Sequence, residues 1–365
     1  MTDRHLDRIR RAAKQAEADG FDALLVTPSA DLLYLAGYDP PPLERLTCLV
    51  VRPGADPVLL VPELEKPRAL ASPIGEELDI VTWRDGDDPY TSLAPLLPDS
   101  GRLAATDKMW AIHLLGVQRE RPDAEFAPGS TVLAKLRSIK DTEELELLSR
   151  AARGADEAFR HLADTRLEGL REEEVALLLG SLLTEAGHET VSFTIVGSGP
   201  NGASPHHDPG GRTIRAGDPI VLDFGGRIGG YCSDISRTVC VGESPQGFQE
   251  VYDVVREAQE AAFRAVQPGV PALEVDEVAR HIIASAGYGD RFIHRTGHGI
   301  GLEEHEPPWI ASDNAEPLEP GMCFSIEPGI YLEGRFGVRI EDIVAVTDDG
   351  AQRLNRASRD LETVA

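Results

Sequence analysis

A chain of 365 residues is longer than one ordinary domain needs and comfortable for two. Hydrophobic residues make up 41% and charged residues 27%, the balance of a soluble globular protein, and the formal net charge of −26 argues against nucleic acid and anionic membrane as partners. The four cysteines, Cys48, Cys232, Cys240 and Cys323, show neither CxxC pairs nor the spacing of a secreted framework, so buried free thiols in a reducing cytoplasm are expected.

The opening stretch MTDRHLDRIRRAAKQAEADG is charged and amphipathic, without the apolar core of a signal peptide. No run approaches the roughly 20 apolar residues of a membrane span, and a cytoplasmic location is expected. Residues 3–18 read as a helix with Ile9, Ala12, Ala13 and Ala16 on one face. DALLV (22–26) reads as a short buried strand. LTCLVV (46–51) and PVLLV (57–61) flank a Gly-Ala-Asp turn and predict a hairpin. LDIVTW (78–83) and RLAAT (102–106) supply further strands. Residues 1–128 are therefore expected to form a smaller α/β domain.

A Pro-Gly-Ser turn in FAPGS (126–130) marks the break, and residues 129–365 are expected to form a second, α+β domain. Asp141, with Glu144 three residues on, has the pattern of a capping box opening a helix to about Thr165. Another helix is expected from about Glu172 to Ala186. Beyond it, Gly-rich hairpins around 225–230 and 329–337 enclose helices near 246–266 and 272–286.

Acidic residues recur across those hairpins. In IVLDFGG (220–226) and YCSDISRTV (231–239), Asp223 and Asp234 lie symmetrically about the Ile228–Gly229 bond, so a regular hairpin makes them cross-strand partners. In SIEPGIYLEGRFGVRIEDI (325–343), Glu327 and Glu341 lie symmetrically about Gly334. Carboxylates facing each other on an inner surface must take a proton or share a cation. The competing reading is neutralisation by Arg237 and Arg339. HRTGHGIGLEEHEPP (294–308) adds His294, His298 and His305 among glycines that let backbone pass close to a site. It is not a zinc HExxH helix, because Pro307 and Pro308 forbid one. Four carboxylates with one neutral imidazole require two divalent ions for neutrality, and mostly oxygen ligation suits Mn²⁺, Co²⁺, Fe²⁺ or Zn²⁺. Two such ions about 3.5–4 Å apart can share a nucleophilic hydroxide. Gly197, Gly199 and Gly202 imitate a dinucleotide fingerprint, but Pro205 and Pro209 preclude the helix it needs. That loop instead carries His206 and His207 toward the site mouth.

Together, LRSIKDTEELELL, LDFGG…YCSDISRT, HRTGHGIGLEEHE, SIEPGIY and VRIEDI resemble the proline-specific pita-bread metallopeptidases, Xaa-Pro dipeptidase (prolidase) and aminopeptidase P, over nearly the whole chain. The resemblance implies a pita-bread catalytic domain behind a creatinase-like N-terminal domain. It implies two metal ions, manganese first and cobalt, zinc or iron as alternatives. Asp223 would hold one ion, His298 and Glu327 the other, and Asp234 and Glu341 would bridge them. A bridging hydroxide would attack the scissile carbonyl of an Xaa-Pro dipeptide, Glu327 moving the proton; an N-terminal residue before proline in a longer peptide is the alternative substrate. His206, matched by its spacing before the first aspartate, and His305 would steady the carbonyl and the tetrahedral intermediate, with Tyr331 and Arg339 in support. All five ligand positions are present, unlike in members of this fold that have lost their metals. One departure concerns the substrate end. Many relatives carry an arginine between the histidine at 305 and the glutamate at 327, and HEPPWIASDNAEPLEPGMCFSIE has none. Tyr38 and Arg45 in GYDPPPLER, reaching across a homodimer, and Arg335 are the candidates for meeting a peptide carboxylate.

Overall fold

The structure, a computed structural model, describes residues 2–365. The chain forms two compact units, Met1–Arg137 and Ser138–Ala365. The division falls beyond the FAPGS turn rather than at 128/129. The helix after that turn is tied to the first unit by Lys135 on Asp19, Arg137 on Asp31 and the Tyr34 hydroxyl donating to Leu136 O.

The first unit is a six-stranded mixed sheet with order β4-β3-β2-β1-β5-β6: β1 (Ala23–Val26), β2 (Cys48–Val51), β3 (Val58–Pro62), β4 (Asp79–Trp83), β5 (Gly101–Ala105) and β6 (Ala124–Pro128). Helices α1 (Thr2–Ala18), α2 (Ala30–Ala36), α3 (Lys66–Leu70), α4 (Pro89–Leu93), α5 (Ala111–Glu120) and α6 (Ser130–Ser138) complete it. Ile9, Ala12 and Ala16 are buried on α1, as the apolar stripe requires. The β2–β3 hairpin pairs Leu49 with Leu59. AEFAP (124–128), whose last three residues overlap the predicted FAPGS turn, is the edge strand β6; an edge tolerates the terminal Pro128, which has no N–H to give a neighbour.

In the second unit, α7 (Thr142–Ala163) begins at the expected capping box: Asp141 accepts the N–H groups of Glu143 and Glu144, and Glu144 accepts that of Asp141. With α8 (Glu172–Glu185) it covers a sheet of β7 (Thr190–Ser198), β8 (Pro219–Ile228), β9 (Tyr231–Cys232), β10 (Ile235–Val241) and β18 (Thr363–Val364). Phe159 and Leu179 share one core with Leu222, Phe224 and Val239. Helices α9 (Phe248–Ala265) and α10 (Ala272–Ser285) do the same for β11 (Gly297–Gly299), β12 (Glu306–Ile310), β13 (Cys323–Ile326), β16 (Asp342–Thr347) and β17 (Gly350–Arg353). β14 (Gly329–Leu332) and β15 (Phe336–Arg339) form a separate ribbon. Of the two dinucleotide-like features, the strand β7 exists, but a 3₁₀ turn at Gly199–Ala203 follows it instead of a helix.

The acidic hairpins turn at slightly different places. Gly229 and Gly230 both have positive φ, so they are the two central residues of the turn, and Ile228 pairs with Tyr231. Asp223 therefore opposes Ser236, not Asp234 as expected, and Asp234 is its diagonal neighbour in the break between β9 and β10. The second hairpin keeps the expected register. Ile326 pairs with Asp342 and Gly329 with Arg339, which leaves Glu327 facing Glu341 where the arms pass from the β13–β16 ladder into the ribbon.

Candidate metal centre

Asp223 sits on β8, Asp234 before β10, His298 on β11, Glu327 just after β13 and Glu341 just before β16. Five segments thus deliver one side chain each. Backbone bonds hold the outer ones in place: Glu327 N–H donates to Thr296 O at 2.8 Å, and Glu341 N–H to Ser236 O at 3.0 Å. One oxygen each of Asp223, Asp234 and Glu341 lie within 4.8 Å of one another, as do ligand atoms of His298, Glu327 and Glu341, and of Asp234, His298 and His305. Asp234 and Glu341 are buried, at 4% and 2% exposure.

The pairing of these groups is unfinished. Asp223 Oδ2 accepts from Arg339 Nη2 at 2.6 Å, and Glu341 Oε2 from Ser236 Oγ at 2.9 Å. Asp223 Oδ1, Asp234 Oδ1 and Glu341 Oε1 are buried without any hydrogen-bond partner. Three such acceptors in one cluster are costly unless a cation takes them, and their positions match the expected ligand set. His298 fits as well. Its Nδ1 lies 3.1 Å from Gly299 O, an obligate acceptor, so Nδ1 carries the proton and Nε2 offers its lone pair to the cluster. Nε2 is 3.3 Å from Glu327 Oε1 and 3.7 Å from Asp234 Oδ2. Burial, with the charge of His305 added, pushes His298 down to about 3, which keeps the ring neutral.

The carboxyls respond in the opposite sense. Burial, then the charges of Glu341 and Asp223, hold Asp234 well above the usual carboxylate range. Glu341 is raised by burial and by Glu327. Burial pushes Glu327 up to about 7 against the pull of Arg339. Without cations, the cluster stores protons.

Arg339 answers the competing reading only in part. It engages Asp223, Ser236 Oγ at 2.8 Å and the Tyr331 hydroxyl at 2.9 Å, and so orients the site rather than neutralising it. The Tyr331 hydroxyl in turn donates to His294 Nε2 at 2.8 Å, since His294 Nδ1–H is given to Arg295 O. Arg237 does not reach the cluster's carboxylates: its guanidinium pairs with Asp342 at 2.7 Å and donates to the backbone oxygen of Glu341.

The histidines divide by role. His207 Nε2 donates to Glu172 Oε2 at 2.8 Å, and Glu172, fully buried, also gathers Ser198 and Asn201. His206 stays exposed on the same loop, close enough for its charge to lower the basicity of His294 and His305. The His305 ring lies against that of His298, with centroids 3.9 Å apart and planes tilted by 47°. Glu172 escaped sequence reasoning because a glutamate in the first turn of a helix ordinarily reads as solvated. Tyr38 and Arg45 belong to the first unit; Tyr38 is buried, and Arg45 is forked onto Asp85 at 2.9 and 3.0 Å with Glu44 at 2.8 Å. Arg335, on the β14–β15 turn, donates to Gln246 O.

Comparison with known proteins agrees with this geometry. Residues 146–348 match Metallopeptidase family M24, and residues 8–139 match the Creatinase/Prolidase N-terminal domain. A probable dipeptidase, PepE, of Mycobacterium tuberculosis is 41% identical over 98% of this chain and 96% of its own length. The Xaa-Pro dipeptidase of Lactobacillus delbrueckii subsp. lactis is 37% identical, with 99% of each chain covered. The crystal structure of a prolidase from Thermococcus sibiricus superposes with a TM-score of 0.93 at 40% identity, over 99% of each chain.

Proposed function

The chain belongs to metallopeptidase family M24, with the pita-bread catalytic fold behind a creatinase-like N-terminal domain, and we propose that within that family it is a dinuclear Xaa-Pro dipeptidase. The observation that carries the reading is the set of orphaned, buried oxygens on Asp223, Asp234 and Glu341 beside the lone pair of His298. Relatives named as Xaa-Pro dipeptidase and prolidase support the substrate class.

Asp223 would hold one cation and His298 and Glu327 the other, with Asp234 and Glu341 placed to serve both. Two divalent ions, manganese first, supply Lewis acidity and a hydroxide from water at neutral pH. The chain's own residues do the rest. Arg339 and Ser236 each occupy one oxygen of a ligand and so aim the other inward. Glu327, steadied by Ser325 Oγ at 3.2 Å, accepts the proton of the attacking water and returns it to the proline nitrogen as the C–N bond breaks. His206 and His305 donate to the carbonyl oxygen as it gains charge. The enzyme works as a cytoplasmic homodimer.

Gly-Pro, Leu-Pro and the tripeptide Leu-Pro-Gly, incubated side by side with Mn²⁺, test the proposal. Dipeptides are expected to be cleaved, the tripeptide poorly, and excess EDTA to abolish turnover. Preferred cleavage of the tripeptide points to aminopeptidase P instead; activity indifferent to EDTA ends the two-metal reading.

A further inference from the structure

Half-buried and buried arginines of the second unit are mostly spoken for. Arg227 holds Glu304, Arg280 holds Asp276 and Arg339 holds Asp223. Arg295 is different. It is half-buried, and its guanidinium makes no hydrogen bond or ion pair with any described residue. It lies over the ring of Trp309, 4.2 Å from the guanidinium carbon to the centroid. A ring face steadies the cation without consuming its N–H donors. The site lies beside the metal centre on two counts. Trp309 is the cross-strand partner of the ligand His298. The residue after Arg295, Thr296, receives the backbone N–H of the ligand Glu327. The charge of Arg295 also acts on Glu327, His298 and His305.

A strongly acidic protein that cleaves dipeptides gains affinity by offering a cation to the substrate's C-terminal carboxylate. A guanidinium with its fork free matches a carboxylate in two bonds. We propose that Arg295, seated on Trp309, receives the C-terminal carboxylate of the dipeptide bound at the metal centre. The inference rests on the dipeptidase reading. It makes Arg295 a specificity-determining residue: a free carboxylate one residue beyond the scissile bond is rewarded, and a continuing peptide bond there is not. Arg45 and Arg335 would first have to give up Asp85 and Gln246.

The test compares Leu-Pro with Leu-Pro amide, which lacks the carboxylate, in the Mn²⁺-loaded wild type and in Arg295→Met, Arg295→Lys, Arg45→Ala and Arg335→Ala. Arg295→Met is expected to raise KM for Leu-Pro by about 10- to 100-fold, by loss of a charge-assisted pair, with kcat changed far less and Leu-Pro amide unaffected. Arg295→Lys should fall between. Titration calorimetry with the reduced-amide analogue of Leu-Pro should show the same loss of affinity, and metal content should be unchanged. Equal losses on acid and amide, or a carboxylate-specific loss in Arg45→Ala or Arg335→Ala with Arg295→Met intact, overturn the inference. A wild type that cleaves neither substrate defeats the dipeptidase reading instead; the calorimetry then judges Arg295 alone, and unchanged or absent binding of the analogue overturns its role.

Discussion

Glu327 is held up to about 7 by burial, with Asp223 adding to the shift and Arg339 opposing it. A carboxyl whose folded-state pKa is raised contributes its full stability below the unfolded value and loses it as pH rises through the folded value. In metal-free protein this window runs from about 4.5 to about 7. Glu327→Gln is permanently neutral, so it isolates the effect. At pH 5, low in this window, the metal-free wild type and variant should differ by less than about 1 kcal/mol. By pH 8 the wild type should be less stable by a few kcal/mol at most, on the order of 1.4 kcal/mol per pKa unit. Saturating Mn²⁺ should reverse the ranking, because only the carboxylate binds a cation. Denaturant melts at both pH values check this; parallel curves at pH 5 and pH 8 would remove the argument. The candidate ligands were legible because carboxylates and a histidine among apolar strand residues and glycines have few other uses. Glu172, Asp342 and Arg237 were not. Their importance comes from partners far along the chain: Glu172 with Ser198 and His207, and Asp342 with Arg237, Arg353 and Arg359. No local pattern announces such hydrogen bonds.

Strands and turns convert those residues into a site, and the two hairpins show what spacing can and cannot establish. Symmetry about Gly334 reproduced the observed register, since a single αL glycine between Leu332 and Phe336 closes the loop. Symmetry about Ile228–Gly229 failed by one residue at the turn, since only the Gly-Gly pair can take positive φ at both central positions. A diagonal contact between Asp223 and Asp234 serves the site equally well. Close strand approach matters more than pairing at β11. A Cβ placed on Gly297 would lie 1.8 Å from Ser325 O, and Gly297 precedes the ligand His298. Gly297→Ala must push β11 away from β13 and carry His298 with it. It should cost more than the roughly 1 kcal/mol typical of point mutants and weaken Mn²⁺ binding by at least about 10-fold, in the range of lost supporting contacts at metal sites. Calorimetric Mn²⁺ titration of the variant checks this; native affinity together with native stability would show that the strands can separate without consequence.

At the scale of the whole chain, the proposed ligands from Asp223 to Glu341 all fall in the unit Ser138–Ala365, spread over both of its sheets and the ribbon junction. The proposed pair of ions would tie together segments that are distant in the unfolded chain, and a ligand that binds only the folded form stabilises it by mass action, about 2.7 kcal/mol at a hundred times Kd for each site. The first unit supplies none of the five ligands, and its sheet has its own core of Leu25, Val50, Leu60 and Leu103. Length and a Pro-Gly-Ser turn raised the expectation of two domains. They could not show which residue ends the first, because α6 owes its allegiance to Asp19, Asp31 and Tyr34, over a hundred residues earlier. The division predicts unequal responses to metal. On adding Mn²⁺ to EDTA-treated protein, hydrogen exchange should slow in β8, β10, β11, β13 and β16, while β1–β6 exchange as before. Calorimetric unfolding should likewise show the transition of the second unit moving to higher temperature with Mn²⁺ concentration. Slowing of equal size across β1–β6 would mean that the ions act on the chain as a whole, and would sink the assignment of metal-dependent stability to the catalytic unit.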